Sequence, residues 1–278
     1  MKKIFYIIAA FAIIAFCPAC DPITEDANVG EVVTSADQIH AEVTSVVING
    51  KKANKVLVKC TSPVICQWTD GVNTLSSNNG ELTLLVQGQQ TIELKAMAVD
   101  GTTFSKEFNV TVEDMYYPVP AAYGLFFGSG EKTWVWNTNW NAPDGGPVGA
   151  LIMAGDNPTS GRDYWGWTPK LSDKKDVCNE GEGSKMVFTL SGKKVTKYDP
   201  QGKVVGQGTI NFDMTPNNYY ASEGTLTFAG TNILFPYDYN NMAPWASNTF
   251  TITYLDEDHL MLYTKSSNGG WYYVFNAE

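Results

Sequence analysis

Apolar and polar residues alternate in short runs along the first part of the chain, which is typical of strands with one buried face. Turn-forming pairs such as Asn49-Gly50 and Asp100-Gly101 separate the runs and favour hairpins. The predicted strands cover residues 39–48, 55–60, 82–86, 91–99 and 104–112. The pattern therefore predicts a small antiparallel β-sandwich over residues 35–114.

Pro118 and Pro120 interrupt this pattern, and we interpret them as a hinge between two units, because proline cannot continue a sheet. Strand-like runs resume beyond them, without a helical period of useful length. They cover residues 186–190, 194–198, 204–212, 224–228, 232–236, 249–254, 260–264 and 271–275. Tight turns join most neighbours, which favours antiparallel pairing. We expect an all-β protein in which residues 115–278 form a larger antiparallel β-sandwich or barrel-like domain.

Residues 142–183 are the exception within this second unit, because they are polar and rich in glycine and proline. A long connection inside a compact β domain is more often functional than idle. The search for a binding surface therefore starts here.

The amino terminus has the features of a secretory signal peptide. Two lysines precede an apolar run over residues 4–16, and Ala19 precedes Cys20. The run is shorter than the roughly 18 residues that cross a bilayer, which favours a signal peptide over residues 1–20 rather than a transmembrane helix. Residues 21–34 are then a polar linker.

Composition changes this picture by excluding one class of partner. The 278 residues carry a formal net charge of -10. A nucleic-acid-binding surface needs a stripe of Lys and Arg, so nucleic acid is not an expected partner. Lys193, Lys194 and Lys197 form the only basic cluster and are expected to lie in a solvated loop.

Cysteine and histidine usage gives no metal site. Beyond Cys17 and Cys20, the chain has Cys60, Cys66 and Cys178. The spacing of Cys60 and Cys66 permits a small disulfide loop and equally permits two buried thiols. With only two histidines in the chain, no zinc ligand cluster is predicted, and no cofactor is expected.

The tryptophans are concentrated in a few short segments. They fall into two groups, according to whether or not they belong to a predicted strand. Trp134 and Trp136 share one side of a predicted strand, which favours the core, and Trp68 and Trp271 are also expected inside. The other group has polar or proline-marked surroundings that favour exposure. The predicted ligand contacts are Trp140, Trp165, Trp167, Trp245, Tyr164, Asn139, Asp163 and Arg162.

Exposed indoles beside polar side chains suit a carbohydrate. A pyranose ring has an apolar face of C–H groups and a rim of hydroxyls, so it stacks on an aromatic plane and hydrogen-bonds to planar polar groups. Single-stranded nucleic acid would also stack, but the acidic balance argues against it. The predicted ligand is therefore an oligosaccharide or polysaccharide.

Several segments carry a family resemblance. The small residue before Cys20, with acidic residues after it, resembles a bacterial lipoprotein box with a surface-export tag. The sequence Cys-Gln-Trp-Thr-Asp-Gly at residues 66–71 resembles the central strand and turn of PKD-like or immunoglobulin-like domains. With residues 132–136, residues 181–186 and the Gly-Gly-Trp271 ending, the layout resembles accessory surface glycan-binding lipoproteins of polysaccharide-utilisation loci, of the starch-utilisation-system type.

The resemblance implies a non-catalytic protein anchored in the outer membrane through lipid on Cys20. Such a protein captures polysaccharide at the cell surface for a partner hydrolase and a glycan importer, and β-glucan is the favoured ligand. Many tethered copies meeting one repeating polymer would gain strength through effective concentration.

Two alternatives stay open. A glycoside hydrolase needs two facing carboxylates, and the loop candidates are Asp144, Asp163, Glu180, Glu182, Asp213 and Glu223. Carboxylates in loops are usually only solvated, and no strand-borne pair stands out, so an enzyme is not predicted. In a purely structural or adhesive surface lipoprotein, all the aromatic residues would be buried.

Overall fold

A computed structural model of the chain describes residues 32–155 and 161–278. The predicted signal peptide, the lipidation site Cys20 and most of the predicted linker lie outside the described residues. Val33–Glu278 form one compact unit. Among the described residues, no helix combines the length and apolar character needed to cross a membrane.

The first part of the compact unit is a seven-stranded antiparallel sandwich. Its strands are β1 (Ala41–Ile48), β2 (Lys51–Cys60), β3 (Ile65–Thr69), β4 (Thr74–Leu75), β5 (Asn79–Thr83), β6 (Gly88–Met97) and β7 (Thr103–Val112). One sheet has the order β1-β2-β5 and the other β4-β3-β6-β7. The predicted sandwich is therefore present, although β5 ends before the apolar residues Leu84 and Val86, which are buried outside any strand.

Trp68 on β3 lies at the centre of the sandwich core, as the strand pattern predicts. The side chain is completely buried and its ring packs 5.8 Å from that of Phe108. Its indole N–H donates to the carbonyl oxygen of Ser77 at 3.0 Å, so the one polar atom of the ring is satisfied inside the core.

The second part is a nine-stranded antiparallel sheet that closes into a barrel. A short helix, α1 (Ala121–Phe127), leads into the strands β8 (Glu131–Trp136), β9 (Leu151–Ala154), β10 (Lys185–Thr189), β11 (Lys194–Tyr198), β12 (Val204–Asp213), β13 (Gly224–Ala229), β14 (Thr249–Leu255), β15 (His259–Ser266) and β16 (Gly269–Ala277). The sheet order runs from β15 through β14 down to β10, then β8 and β16, and a β15–β16 pairing closes the ring.

The strands β8 and β9 together form one wall of the barrel along β16. The Asn137 N–H donates to the Val274 carbonyl at 2.9 Å, and the Val274 N–H donates to the Ala150 carbonyl at 2.9 Å. The chain therefore leaves the barrel wall after Asn137, beside Val274 in the middle of β16, and residues 138–149 form an excursion that returns to the same place at Ala150. This excursion lies on the outer face of the barrel.

Apolar plugs close the two ends of the barrel. Phe126 and Phe127 of α1 are completely buried at the end where β16 finishes. At the other end, Ile233, Leu234 and Phe235 are also completely buried. The predicted strand over residues 232–236 is wrong, because this apolar run enters the barrel as a loop and does not pair with a neighbour.

The connection between sandwich and barrel is fixed in place by a buried side chain. The Asn54 amide nitrogen donates to the Tyr117 carbonyl at 2.9 Å, and its oxygen accepts from the Tyr117 N–H at 2.8 Å. At a second contact, the Gly192 N–H donates to the Gly71 carbonyl at 3.1 Å. The proline-marked segment is therefore anchored at Tyr117, just before Pro118.

Candidate functional site

The barrel mouth, meaning the end where β15 finishes and β16 begins, carries the longest irregular segments. Within the described part of the chain, residues 165–184 and 230–248 both lie there. The sandwich contacts the opposite end, through residues 128–130 and 190–193. Because β16 has 9 residues at about 3.3 Å each, the two ends are roughly 30 Å apart along that strand.

Trp165 and Trp167 lie on the rim of this mouth, and we call the pair the indole ledge. Their side chains are 52% and 44% exposed. Hydrogen bonds to β9 hold their backbone: the Trp165 N–H donates to the Met153 carbonyl, and the Met153 N–H donates to the Trp167 carbonyl, both at 2.9 Å. The expectation that these two indoles face water agrees with their exposure.

Two glycines shape the ledge. Gly166 separates the two indoles and has a positive φ of +75°, which lets the chain bulge between them. Gly269, at the β15–β16 turn, has a φ of +103°, and a Cβ there would lie 3.0 Å from the Trp165 ring and 2.5 Å from the Ala154 carbonyl. Trp165 therefore rests on a position that only glycine fits.

Aromatic side chains support the second indole from below. The Trp167 ring lies 5.7 Å from that of buried Trp271 and meets the ring of Tyr239 edge-on at 5.6 Å. The Lys174 ammonium lies 5.0 Å from the centre of the Tyr239 ring, which places a charged group beside the ledge. Sequence reasoning missed Tyr239, although its polar, proline-marked surroundings match those of Trp245.

Trp245 belongs to the other mouth segment and is more firmly held. Its indole N–H donates to the hydroxyl of buried Tyr273 at 2.6 Å, and its ring packs partly against the barrel core. The N–H is therefore occupied within the protein, and only part of the ring face remains for a ligand.

A buried ion pair fixes the loop that carries Tyr239. The Lys197 ammonium donates to both Glu180 carboxylate oxygens, at 2.8 and 3.0 Å, and to the Ile233 carbonyl at 3.1 Å. The Phe235 N–H donates to the same carboxylate at 2.9 Å. The expectation of a solvated loop is therefore wrong for Lys197, as is the expectation of a merely solvated carboxylate for Glu180.

Trp140 lies away from the ledge, on the outer face of the barrel. Its ring stacks on His259 at 4.2 Å with an interplanar angle of 16°, and lies 5.2 Å from Tyr254. The imidazole therefore covers one face of the indole. Asn139 beside it is exposed, and the Asn139 N–H donates to the Asn137 side chain at 2.9 Å.

Arg162 is buried beneath this outer-face layer. One terminal nitrogen is paired with Asp144, and the other donates to the Thr253 carbonyl at 2.7 Å. The Arg162 carbonyl accepts from the Tyr272 hydroxyl at 2.8 Å. The guanidinium therefore cross-links segments of this protein, and its assignment as a ligand contact stays a prediction.

The two remaining predicted ligand contacts, Tyr164 and Asp163, differ in their exposure. Tyr164 is half-buried, and its hydroxyl donates to the Pro143 carbonyl at 3.2 Å. Burial raises its pKa well above the ordinary tyrosine value, so the hydroxyl stays neutral. Asp163 is exposed next to the ledge segment, with a positive φ of +41°. Of the predicted set, the structure thus brings Trp165, Trp167 and Asp163 together at one exposed edge.

The carboxylates considered for catalysis occupy different settings. Asp144 and Glu180 are neutralised by ion pairs. Backbone and side-chain hydrogen bonds from Thr215 lower the pKa of Asp213. Glu223 differs from these, because burial raises its pKa while the nearby Arg162 opposes the shift. Within residues 32–155 and 161–278, no group of three or more His, Cys, Asp or Glu side chains is placed to hold a metal ion.

A groove of about 530 Å³ lies far from the mouth, at the junction of sandwich and barrel. Apolar side chains and two prolines line most of it, among them Val86, Met115 and Val119. Ligand sites usually combine an apolar surface with a few convergent polar groups. The groove has no charged side chain in its lining, so we favour the ledge as the candidate site.

The indole ledge can bind a ligand that has one flat apolar side and polar edges. Two large ring surfaces meet solvent there, Asp163 is exposed two residues before Trp165, and the Lys174 ammonium lies over the neighbouring Tyr239 ring. A scan against models of known protein families finds no match to the chain, and a search of curated proteins finds no similar sequence.

Proposed function

We propose that the protein is a non-catalytic polysaccharide-binding lipoprotein of the outer membrane. It captures a glycan, with β-glucan favoured, by stacking sugar rings on the indole ledge. It then holds the polymer for a surface hydrolase and an importer. The observation that carries the proposal is the exposure of Trp165 and Trp167, at 52% and 44%, on a backbone hydrogen-bonded to β9.

The rigidity of the ledge supports binding by stacking. Its backbone is fixed to Met153, and its second ring rests on Trp271 and Tyr239. A surface held in its binding shape loses little side-chain freedom when a ligand arrives. Fixed rings therefore suit a weak, repeated contact with a polymer better than mobile rings would.

The position of the ledge supports a tethered protein. The first sandwich strand starts at Ala41, opposite Cys60, at the end of the sandwich that faces away from the barrel. The ledge lies at the other extreme, on the barrel mouth. The first sandwich strand and the ledge thus lie at opposite ends of the compact unit, so a tether on the amino-terminal side of that strand would leave the ledge accessible.

Affinity electrophoresis in gels that contain laminarin, mixed-linkage β-glucan or starch tests the proposal. Each aromatic stacking contact contributes about 1 kcal/mol beyond area burial, so Trp165→Ala and Trp167→Ala should each weaken retention about five-fold. The double variant should migrate as in a gel without polysaccharide. Tyr116→Ala, which removes a 57% exposed ring in the segment between sandwich and barrel, is the matched control and should retain full binding.

The same preparations separate the alternatives. Release of reducing ends from the glucans would support a hydrolase, and Glu223→Gln is the first variant to assay in that case. Absence of both binding and hydrolysis across the panel would support a structural or adhesive role. Unchanged retention of the double variant would refute the ledge as the binding surface.

A further inference from the structure

Two of the cysteines lie together in the sandwich core. Cys60 is the last residue of β2, and Cys66 is the second residue of β3. Their side chains are 3% and 2% exposed and belong to the same apolar cluster. Cys178 is buried in the separate cluster of the barrel, and all three are free thiols in this structure.

The short connection over residues 61–64 explains why the two thiols lie at the same corner of the sandwich core. The strands β2 and β3 belong to opposite sheets, which pack about 10 Å apart face to face. A connection this short joins the sheets at a corner of the sandwich, and both side chains point into the core there. Both thiols are therefore buried in the same apolar cluster at this corner.

The same connection holds the start of the sandwich. The hydroxyl of buried Ser62 accepts from the His40 N–H at 2.8 Å and donates to the Gln38 carbonyl at 3.2 Å. The Thr61 N–H donates to the His40 carbonyl at 2.9 Å.

We propose that Cys60 and Cys66 form an intrachain disulfide when the chain folds in an oxidising compartment, so that the bond closes the connection over residues 61–64. The compartment rests on the proposed surface location, whereas the burial of both thiols at one corner of the sandwich does not. The two thiols lose two protons and two electrons as the sulfur–sulfur bond forms. A small-molecule or protein disulfide accepts the electrons and is reduced to two thiols.

The burial of the thiols determines when the disulfide forms. Burial, and then the neighbouring Cys60 side chain, raises the pKa of Cys66 to about 12, so the folded protein holds almost no thiolate at neutral pH. Thiol–disulfide exchange needs a thiolate that the oxidant can reach. The bond therefore forms during folding, before the core closes over it, and persists afterwards because the same burial protects it.

Peptide mapping after refolding tests the proposal. The full chain is reduced and unfolded in urea, refolded in a buffer of reduced and oxidised glutathione, and then unfolded again with N-ethylmaleimide. Trypsin releases residues 60–95 as one peptide, because no Lys or Arg lies between Lys59 and Lys95. The expected peptide carries no maleimide and is lighter by two hydrogens than the reduced form, whereas the peptide with Cys178 carries one maleimide.

Two maleimides on residues 60–95 of the natively refolded chain, or glutathione attached to Cys60 or Cys66, would overturn the proposal. A second measurement uses stability. Cys60→Ser should lower the urea midpoint more in oxidising than in reducing buffer, whereas the shift caused by Cys178→Ser should be the same in both. An equal shift for Cys60→Ser in the two buffers would also overturn it. Neither readout depends on glycan binding.

Discussion

The buried ion pair of Lys197 and Glu180 gives the sharpest prediction for stability. Replacing Lys197 by methionine keeps most of the side-chain volume and removes the ammonium. Three hydrogen bonds are lost, two to the carboxylate and one to the Ile233 carbonyl. The Glu180 side chain is only 14% exposed and keeps one donor outside its own segment, the Phe235 N–H.

The magnitude follows from the charge that remains. Removing one member of a buried pair leaves an uncompensated buried charge, which costs about 3–5 kcal/mol. Glu180→Gln should cost a similar amount, because it leaves the buried ammonium unpaired. The double variant carries neither charge, so its loss should be smaller than the sum of the single losses, with a coupling energy of about 2 kcal/mol.

Urea unfolding followed by tryptophan fluorescence measures all four members of the cycle. Lys185→Met is the matched control, because its ion pair with Glu278 is largely exposed, at 39% and 57% of the two side chains. Such a surface pair contributes at most about 1 kcal/mol. Equal losses for Lys197→Met and Lys185→Met, or a coupling energy near zero, would refute the role assigned to the buried pair.

Three further predictions concern the barrel and its surroundings. Trp271→Ala removes a fully buried ring and should lower the free energy of unfolding in urea by about 3–5 kcal/mol. Trp165→Ala should lower it by only about 1–2 kcal/mol, because roughly half of that ring is already in water. Equal losses for the two variants would contradict the assigned exposures. Gly269→Ala should both lower the urea midpoint and weaken glucan retention, because the Cβ of the new alanine would collide with the Trp165 ring and with a backbone carbonyl. An unchanged midpoint would show that the turn tolerates a side chain. Burial raises the pKa of Glu223, so its contribution to stability is fully present below the unfolded pKa and is lost as the pH rises through the folded one. Glu223→Gln should therefore gain stability relative to the wild type in urea unfolding as the pH rises above the ordinary glutamate pKa, and a difference that does not change with pH would contradict the raised pKa.

Local pattern was sufficient for the fold class and for much of the core. A strand places alternate side chains on opposite faces, so alternation in the sequence identifies the strands and the buried face without knowledge of their partners. Trp68, Trp134 and Trp271 are all buried as this rule predicts. The rule failed over residues 232–236, because a continuous apolar run has no period that distinguishes a strand from a buried loop.

The candidate site could be predicted only in part, for a related reason. Trp140 and Trp165 both lie in polar surroundings in the sequence, yet His259 covers one face of Trp140 while Trp165 is half exposed on the rim. His259 is far away along the chain, and its contact with Trp140 depends on how the excursion after β8 folds over β14 and β15. Composition around a residue does not contain that information.

What the sequence by itself determined is therefore whatever depends on neighbours along the chain: the strands, their buried faces and the turns between them. The tertiary structure decided the closure of the barrel through β15 and β16, the pairing of Lys197 with Glu180, and the choice of which indoles meet water. Each of these depends on contacts between distant segments. Their energies are set by the register and packing of the whole barrel, which no local pattern encodes.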